Sequence, residues 1–155
     1  MHDAPPHLDE EHRLAVLRGL GILDTPPEAR FDRITRVAAA LFDVPVALVG
    51  LIDSDRQWYK SCIGIDAAET DRSVTFCAHA ITRDEPLIIE DTHRDVFFHD
   101  HPMVTDGLRV RFYAGVALRP FEDMPIGTLC IVDTEPRTFS SRDRELLADL
   151  AQWAE

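Results

Sequence analysis

A chain of 155 residues, 45% hydrophobic and 28% charged, is long enough for one domain with a substantial core and too apolar to stay disordered. Its apolar runs fall well short of the roughly 20 residues that cross a bilayer. The net charge of −12, with Lys60 the only lysine, repels phosphate backbones and anionic lipid, so neither nucleic acid nor membrane is an expected partner.

Met1 to Pro6 has neither the basic nor the apolar region of a secretory signal, and a cytoplasmic location is expected. Residues 1–13 are expected to be a flexible N-terminal segment. Asp9 to Leu20 also places Leu14, Leu17 and Leu20 at near-helical spacing before Gly21, which can end a helix. In Thr25-Pro26-Pro27-Glu28, Thr25 suits an N-cap, Pro26 the first helical position and Glu28 the reciprocal partner of a capping box. The helix that follows carries Phe31, Ile34, Val37 or Ala38, and Leu41 on one face, which should rest on a sheet. Val44 to Ile52 is apolar on both alternating faces, the pattern of a central strand covered on both sides. After the turn residues Asp53-Ser54-Asp55, Gln57 to Ile65 returns as a more polar strand nearer an edge.

Ser73 to Arg83, with Phe76, Cys77, Ala80 and Ile81, reads as a short helix, and Leu87-Ile88-Ile89 as a brief strand. Asp91 to Gly107 is a polar, histidine-rich loop with a short helix inside it. Arg111 to Arg119 and Ile126 to Asp133 are strands joined by a proline-flanked turn. Ser140 suits the N-cap of a last helix bearing Leu146, Leu147, Leu150 and Trp153. Leu146, Leu150 and Trp153 recur at the spacing of a short coiled-coil seam, so a homodimer through the terminal helices, residues 140–155 above all, is expected. No repeat, linker or low-complexity tract interrupts the series. Residues 1–155 are read as a single domain of α/β (α+β) class.

These blocks resemble GAF domains of bacterial signalling proteins, of the sensor kinase and diguanylate cyclase type. The likeness lies in Gly21-Ile22-Leu23-Asp24-Thr25-Pro26-Pro27-Glu28 with Phe31-Asp32-Arg33-Ile34, and in Asp53-Ser54-Asp55-Arg56-Gln57-Trp58-Tyr59-Lys60-Ser61. It continues in Phe76-Cys77-Ala78-His79-Ala80-Ile81, Arg111-Phe112-Tyr113-Ala114-Gly115 and Ile126-Gly127-Thr128-Leu129-Cys130-Ile131-Val132-Asp133. The resemblance implies a GAF-like, PAS-related central antiparallel sheet, with the five expected strands in the order 2-1-5-4-3. Terminal helices would pack on one face, and a helical insert would cover a pocket on the other. It further implies a small-molecule-binding or signal-relaying sensor that catalyses nothing itself. Such a sensor regulates an output domain, of histidine kinase or GGDEF type, in two-component or cyclic di-GMP signalling. The ligand is an unknown small molecule, and no cofactor is named. The chain stops inside a helix at Trp153-Ala154-Glu155, which favours a fragment of a longer protein.

Candidate ligand-binding residues are Trp58, Phe76, Cys77, His79, Asp91, Phe98, Arg111, Phe112 and Tyr113. Arg111-Phe112-Tyr113 opens a central strand and Trp58 lies on the adjoining hairpin, so together they can form an aromatic wall with one cation. The alternative is that Phe112 and Trp58 are core and Arg111 pairs with Asp91. Cys77 and His79, two positions apart on a helix, do not face each other and supply no local nucleophile pair. Ala78 between them departs from the Cys-His of tetrapyrrole-binding relatives. Free methionine sulfoxide reductases share the fold and rely on cysteines, which makes them the enzymatic alternative; a ligand-free dimerisation scaffold is another. Cys62, Cys77 and Cys130 are odd in number and lack CxxC spacing, against both a disulfide framework and a thiolate zinc site. Cys62 and Cys130 fall in expected strands, where small apolar residues fit. His93, His99 and His101 match no paired-histidine motif and are expected as solvated loop residues, with His2, His7 and His12 as terminal polar residues. No metal is expected. Walker and GxGxxG loops are absent, as is the Asn-Lys…Phe…Asp-Glu set of cyclic-nucleotide-binding relatives.

Overall fold

A computed structural model describes residues 4–155, so His2 lies outside the described residues. Six antiparallel strands form one sheet: β1 (Val46–Ile52), β2 (Arg56–Ile63), β3 (Glu69–Asp71), β4 (Leu87–Ile89), β5 (Phe112–Leu118) and β6 (Gly127–Asp133). Their order is β3-β2-β1-β6-β5-β4. The five expected strands take their expected neighbours. The sixth, β3, adds to the outer edge of β2 from Arg56↔Asp71 to Trp58↔Glu69. Its Glu-Thr-Asp sequence lacks apolar alternation because an edge strand this short buries no face, so periodicity gave no sign of it.

β1 and β6 occupy the middle of the sheet and are buried along their whole length. Alternation places Ala47, Val49, Leu51, Leu129 and Ile131 on one face, and Val46, Leu48, Ile52, Cys130 and Val132 on the other. The first face carries α1 (Glu10–Gly19), α2 (Ala29–Phe42) and α5 (Ser141–Trp153). Leu17, Phe31, Ile34, Phe42, Leu147 and Leu150 bury against it. Residues 72–110 cover the second face with α3 (Cys77–Ala80), α4 (Pro102–Thr105) and two 3-10 turns, Arg72–Val74 and Thr92–Arg94.

Residues 10–13, expected within a flexible segment, are helical, and Arg13 is 0% exposed. Its guanidinium donates to Glu10 Oε2 at 2.7 Å and to the Ile52 carbonyl at 2.8 Å, which ties α1 to the end of β1. A buried cation whose acceptors come from the sheet holds its helix in place. Thr25 does not cap α2, which begins at Ala29 without a side-chain cap. Instead Thr25 Oγ1, Pro26 O and Glu28 Oε2 surround Lys60 Nζ at 2.7, 2.8 and 2.7 Å. A buried ammonium has three protons to satisfy, and this loop supplies three acceptors.

Ser140 does cap α5, reciprocally with Asp143. The expected coiled-coil seam is not presented outward. Leu150 is 5% exposed inside the domain's own core, beside Leu147, whereas Trp153 is 67% exposed. The stripe on α5 faces the sheet, because a helix of thirteen residues must bury its apolar face somewhere and the sheet is adjacent.

Candidate functional site

Strand alternation divides the candidate residues. Arg111, Phe112 and Tyr113 are consecutive in extended chain, so Phe112 enters the helix-side core, 5.5 Å from the Phe139 ring, while Tyr113 enters the core under the cover. Trp58 also belongs to the helix side. Neither Trp58 nor Phe112 can line a pocket beneath the cover, which corrects both expectations. Arg111 is already paired: its Nη2 donates to Asp91 Oδ1 at 3.0 Å. Asp91 in turn accepts the His93 N–H at 3.1 Å, capping the 3-10 turn. Against its desolvation, Arg111 and the backbone donor hold the Asp91 carboxyl below the usual range. The cation expected to face a ligand is neutralised in place.

Phe76, Cys77, Phe98 and Tyr113 do come together. The Phe76 ring lies 4.5 Å from His101, 4.9 Å from Phe98 and 5.2 Å from Tyr113. His79 sits edge-on to Phe97 and Phe98 at 5.3 and 5.1 Å. His101, expected in solvent, is buried, and its Nδ1 accepts the Met103 N–H at 3.1 Å. It caps α4, where Pro102 at the first position needs no acceptor of its own. His93 and His99 are exposed. Among the described residues no group of three or more His, Cys, Asp or Glu could hold a metal ion.

Between sheet and cover lies a cavity of about 30 Å³, bordered by Gln57, Tyr59, Cys77, Met103, Tyr113 and Cys130. Sites for small organic ligands span roughly 300–1,000 Å³. This one accommodates a molecule of about the size of water. Wider clefts lie outside the cover, one of about 580 Å³ along β2 near Asp32 and Cys62, and one of about 510 Å³ beside β4 at Asp91 and Arg137.

One sulfur beside the small cavity has a phenol and a second thiol within reach. Cys77 Sγ accepts from the Tyr113 hydroxyl at 3.1 Å and lies 3.7 Å from Cys130 Sγ. Two glycines make room for this. A Cβ on Gly115 would meet Tyr113 Oη at 2.2 Å, and one on Gly50 would meet Gln57 Nε2 at 2.2 Å. On either side of β6, Gly50 pairs with Thr128 and Gly115 with Cys130. Burial raises a thiol, but the polar side chains beside it, Cys130, Thr128, Tyr113 and Gln57, outweigh burial and bring Cys77 below the ordinary thiol range. Its bond to Cys77, together with burial, pushes Cys130 well above that range.

The profile of the family described as GAF domain matches residues 26–155. The chain belongs to the GAF domain family. A cyclic di-GMP phosphodiesterase of Pseudomonas aeruginosa is 37% identical over 150 residues, 96% of this chain and 26% of that protein. The GAF domain therefore spans about a quarter of the length of this relative. Among solved structures, the GAF domain of an Acinetobacter phosphoenolpyruvate-protein phosphotransferase superposes with a TM-score of 0.65 at 16% identity, over 91% of this chain and 89% of that one. A free methionine-R-sulfoxide reductase from Neisseria meningitidis, in complex with its substrate, gives 0.65 at 17% identity over 99% and 93%. At such identities the likeness speaks for the fold. No helix among the described residues is long and apolar enough to cross a membrane.

In this GAF domain, sequence reasoning picked out Cys77 and Tyr113 but missed their partners Gln57, Thr128 and Cys130. Those residues sit on β2 and β6, and Cys130 is 53 positions from Cys77. One sequence signal pointed there: Gly50 and Gly115 interrupt strands that are otherwise apolar, as happens where another group must approach closely. Chemically, the cluster places two buried thiols in contact, one of them accepting a hydrogen bond from a phenol.

Proposed function

We propose that this GAF domain is a regulatory module of a longer cytoplasmic protein that turns over cyclic di-GMP, and that it passes a signal from the covered face of its sheet to an output domain. The observation that carries this reading is the 37% identity over nearly the whole chain to one quarter of a cyclic di-GMP phosphodiesterase. The geometry supports regulation over catalysis. A cavity of about 30 Å³ has no room for free methionine sulfoxide, so the reductase alternative is not favoured. A larger ligand would enter only by displacing the cover, Phe76 included, from Tyr113, and that displacement would itself be a transmissible change. A homodimer through the terminal helices belongs to the same reading, with Trp153 exposed at the end of α5; Val37 and Leu41 of α2, expected to rest on the sheet, are exposed as well, because Phe31, Ile34 and Ala38 take that face.

Two measurements test it. Deleting residues 1–155 from the longer protein should change its cyclic di-GMP turnover by about fivefold or more, the usual lower end of coupling between sites; unchanged turnover refutes a regulatory role. Incubating the domain with free methionine (R)-sulfoxide and a dithiol reductant should release no methionine. Turnover that Cys77→Ser abolishes would replace the regulatory reading with the enzymatic one.

A further inference from the structure

The covered face of the sheet contains a buried polar cluster beside the small cavity. Gln57 is 2% exposed and Thr128 is 0% exposed, and both Gln57 Nε2 and Thr128 Oγ1 are buried without a hydrogen-bond partner. Burying such groups unsatisfied costs about 1–3 kcal/mol each. Both lie beside Cys77, as does the Tyr113 hydroxyl at 3.1 Å. A neutral thiol is a weak acceptor, whereas a thiolate accepts from several donors at once. Gly50 and Gly115 are the positions that admit the Gln57 amide and the Tyr113 phenol, since a Cβ at either would come within 2.2 Å of the incoming atom. Tyr113 thus donates to the Cys77 sulfur from β5, while Gln57 on β2 and Thr128 on β6 hold unpartnered polar atoms in the same buried cluster.

A second sulfur stands in contact with it. Cys130 Sγ is 3.7 Å from Cys77 Sγ, on the strand over which α3 packs. Both sulfurs border the cavity of about 30 Å³. Cys62 is apart from them, its thiol directed at the Ile65 carbonyl at 3.8 Å beside the outer cleft along β2.

We infer that Cys77 and Cys130 form a peroxide-reactive dithiol, with Cys77 the attacking sulfur and Cys130 the resolving one, oxidised by hydrogen peroxide to a disulfide that joins the cover to the central sheet. The cavity selects a reagent of about that size. Cys77 thiolate attacks one peroxide oxygen, the O–O bond breaks, and hydroxide leaves and takes up a proton as water. Cys77 is then a sulfenic acid, oxidised by two electrons. The Cys130 sulfur displaces its hydroxyl, which departs as a second water with the Cys130 proton, and the S–S bond forms. In sum, two thiols and one hydrogen peroxide give one disulfide and two waters. Tyr113 loses the thiolate that accepts its hydroxyl in that step, so its phenol must find another partner, and the cover packed against it changes with it. The chemistry is a property of the isolated domain and does not depend on the output domain proposed above.

The test uses the reduced 155-residue chain with one molar equivalent of hydrogen peroxide. Free thiols, counted after denaturation, should fall from three to one, and peptide mapping should pair Cys77 with Cys130. Cys130→Ser should stop at a Cys77 sulfenic acid that dimedone traps, and Cys77→Ser should keep both remaining thiols. Tyr113→Phe, which keeps the ring and removes one donor, should slow disulfide formation by about threefold or more. Three thiols surviving in the native chain under conditions that oxidise the urea-unfolded chain would overturn the inference, as would a disulfide that includes Cys62. Both of these results come from the unmutated chain, so they hold even where a variant fails to fold.

Discussion

Replacing Arg13 with Met keeps the aliphatic stem and removes the guanidinium. That group donates to Glu10 from Nε at 2.9 Å and Nη2 at 2.7 Å, and from Nη1 to the Ile52 and Pro125 carbonyls at 2.8 and 3.3 Å. Removing one partner of a buried ion pair commonly costs about 3–5 kcal/mol. Here Glu10 would not be stranded, because Arg72 Nη1 stays 2.7 Å from its Oε2. The uncompensated loss is then mainly the two carbonyls, at about 1–3 kcal/mol each for a buried acceptor. The low end of the ion-pair range, about 3 kcal/mol, is therefore the expected cost. For a domain of this size each kcal/mol moves the melting midpoint by about 2–4 °C, so Arg13→Met should melt about 6–12 °C lower. Urea unfolding followed by the fluorescence of Trp58, which is 8% exposed, provides an independent measure. Arg13→Lys keeps a charge but cannot reach both carbonyls and Glu10 together, and should fall between the two. Stability of Arg13→Met within about 0.5 kcal/mol of wild type would refute the reasoning, since that is the ordinary range for an unanchored surface site.

The same pair governs acid stability. Despite its burial, hydrogen bonds and charge from Arg13 and Arg72 lower the Glu10 carboxyl to about 2 from an ordinary 4.5. A depressed folded value means its stabilisation is complete above about pH 4.5 and drains away as pH falls toward 2, so the gap between wild type and Glu10→Gln in urea midpoint should be full at about pH 6 and close near pH 2; equal midpoints at pH 6 would refute it. Lys60, buried among Thr25, Pro26 and Glu28, should resist acylation by a water-soluble succinimidyl ester in the native chain and react once in urea, and native labelling of Lys60 would show that the loop does not hold it. Trp153→Glu should shift sedimentation from dimer toward monomer without loss of folding, because burying a large aromatic is worth about 2–3 kcal/mol, well over tenfold in a dimer constant. Leu150→Glu should instead unfold the domain, since Leu150 is core. A wild type that stays monomeric at high micromolar concentration would remove the dimer.

Much of this architecture was legible locally. The two-faced apolar run at β1, the Asp53-Ser54-Asp55 turn into β2, the β5–β6 pair and the Ser140 cap of α5 all rest on periodicity or on side-chain-to-backbone bonds a few residues long. Those interactions are written in neighbouring residues, and so is the identity of Cys77 as a residue of the insert. Other outcomes were not local. Thr25 and Glu28 had the chemistry of a cap, yet Lys60, some 35 positions away, claims their oxygens. Leu146, Leu150 and Trp153 had the spacing of a seam, but helical spacing is the same whether the apolar side meets a sheet or a second chain. Trp58 and Phe112 had the composition of a pocket wall, and only the pairing of strands showed that their faces lie on the helix side. The site itself depends most on tertiary structure. A strand's register shifts whole faces by single residues, and the meeting of Cys77, Cys130, Tyr113 and Gln57 requires the β2–β1–β6–β5 register and the docking of α3 to hold at once. The residues that build the thiol cluster were all visible in the sequence; that they touch is a property of the packed sheet, because the contacts that bring them together are summed over the entire fold and encoded at no single position.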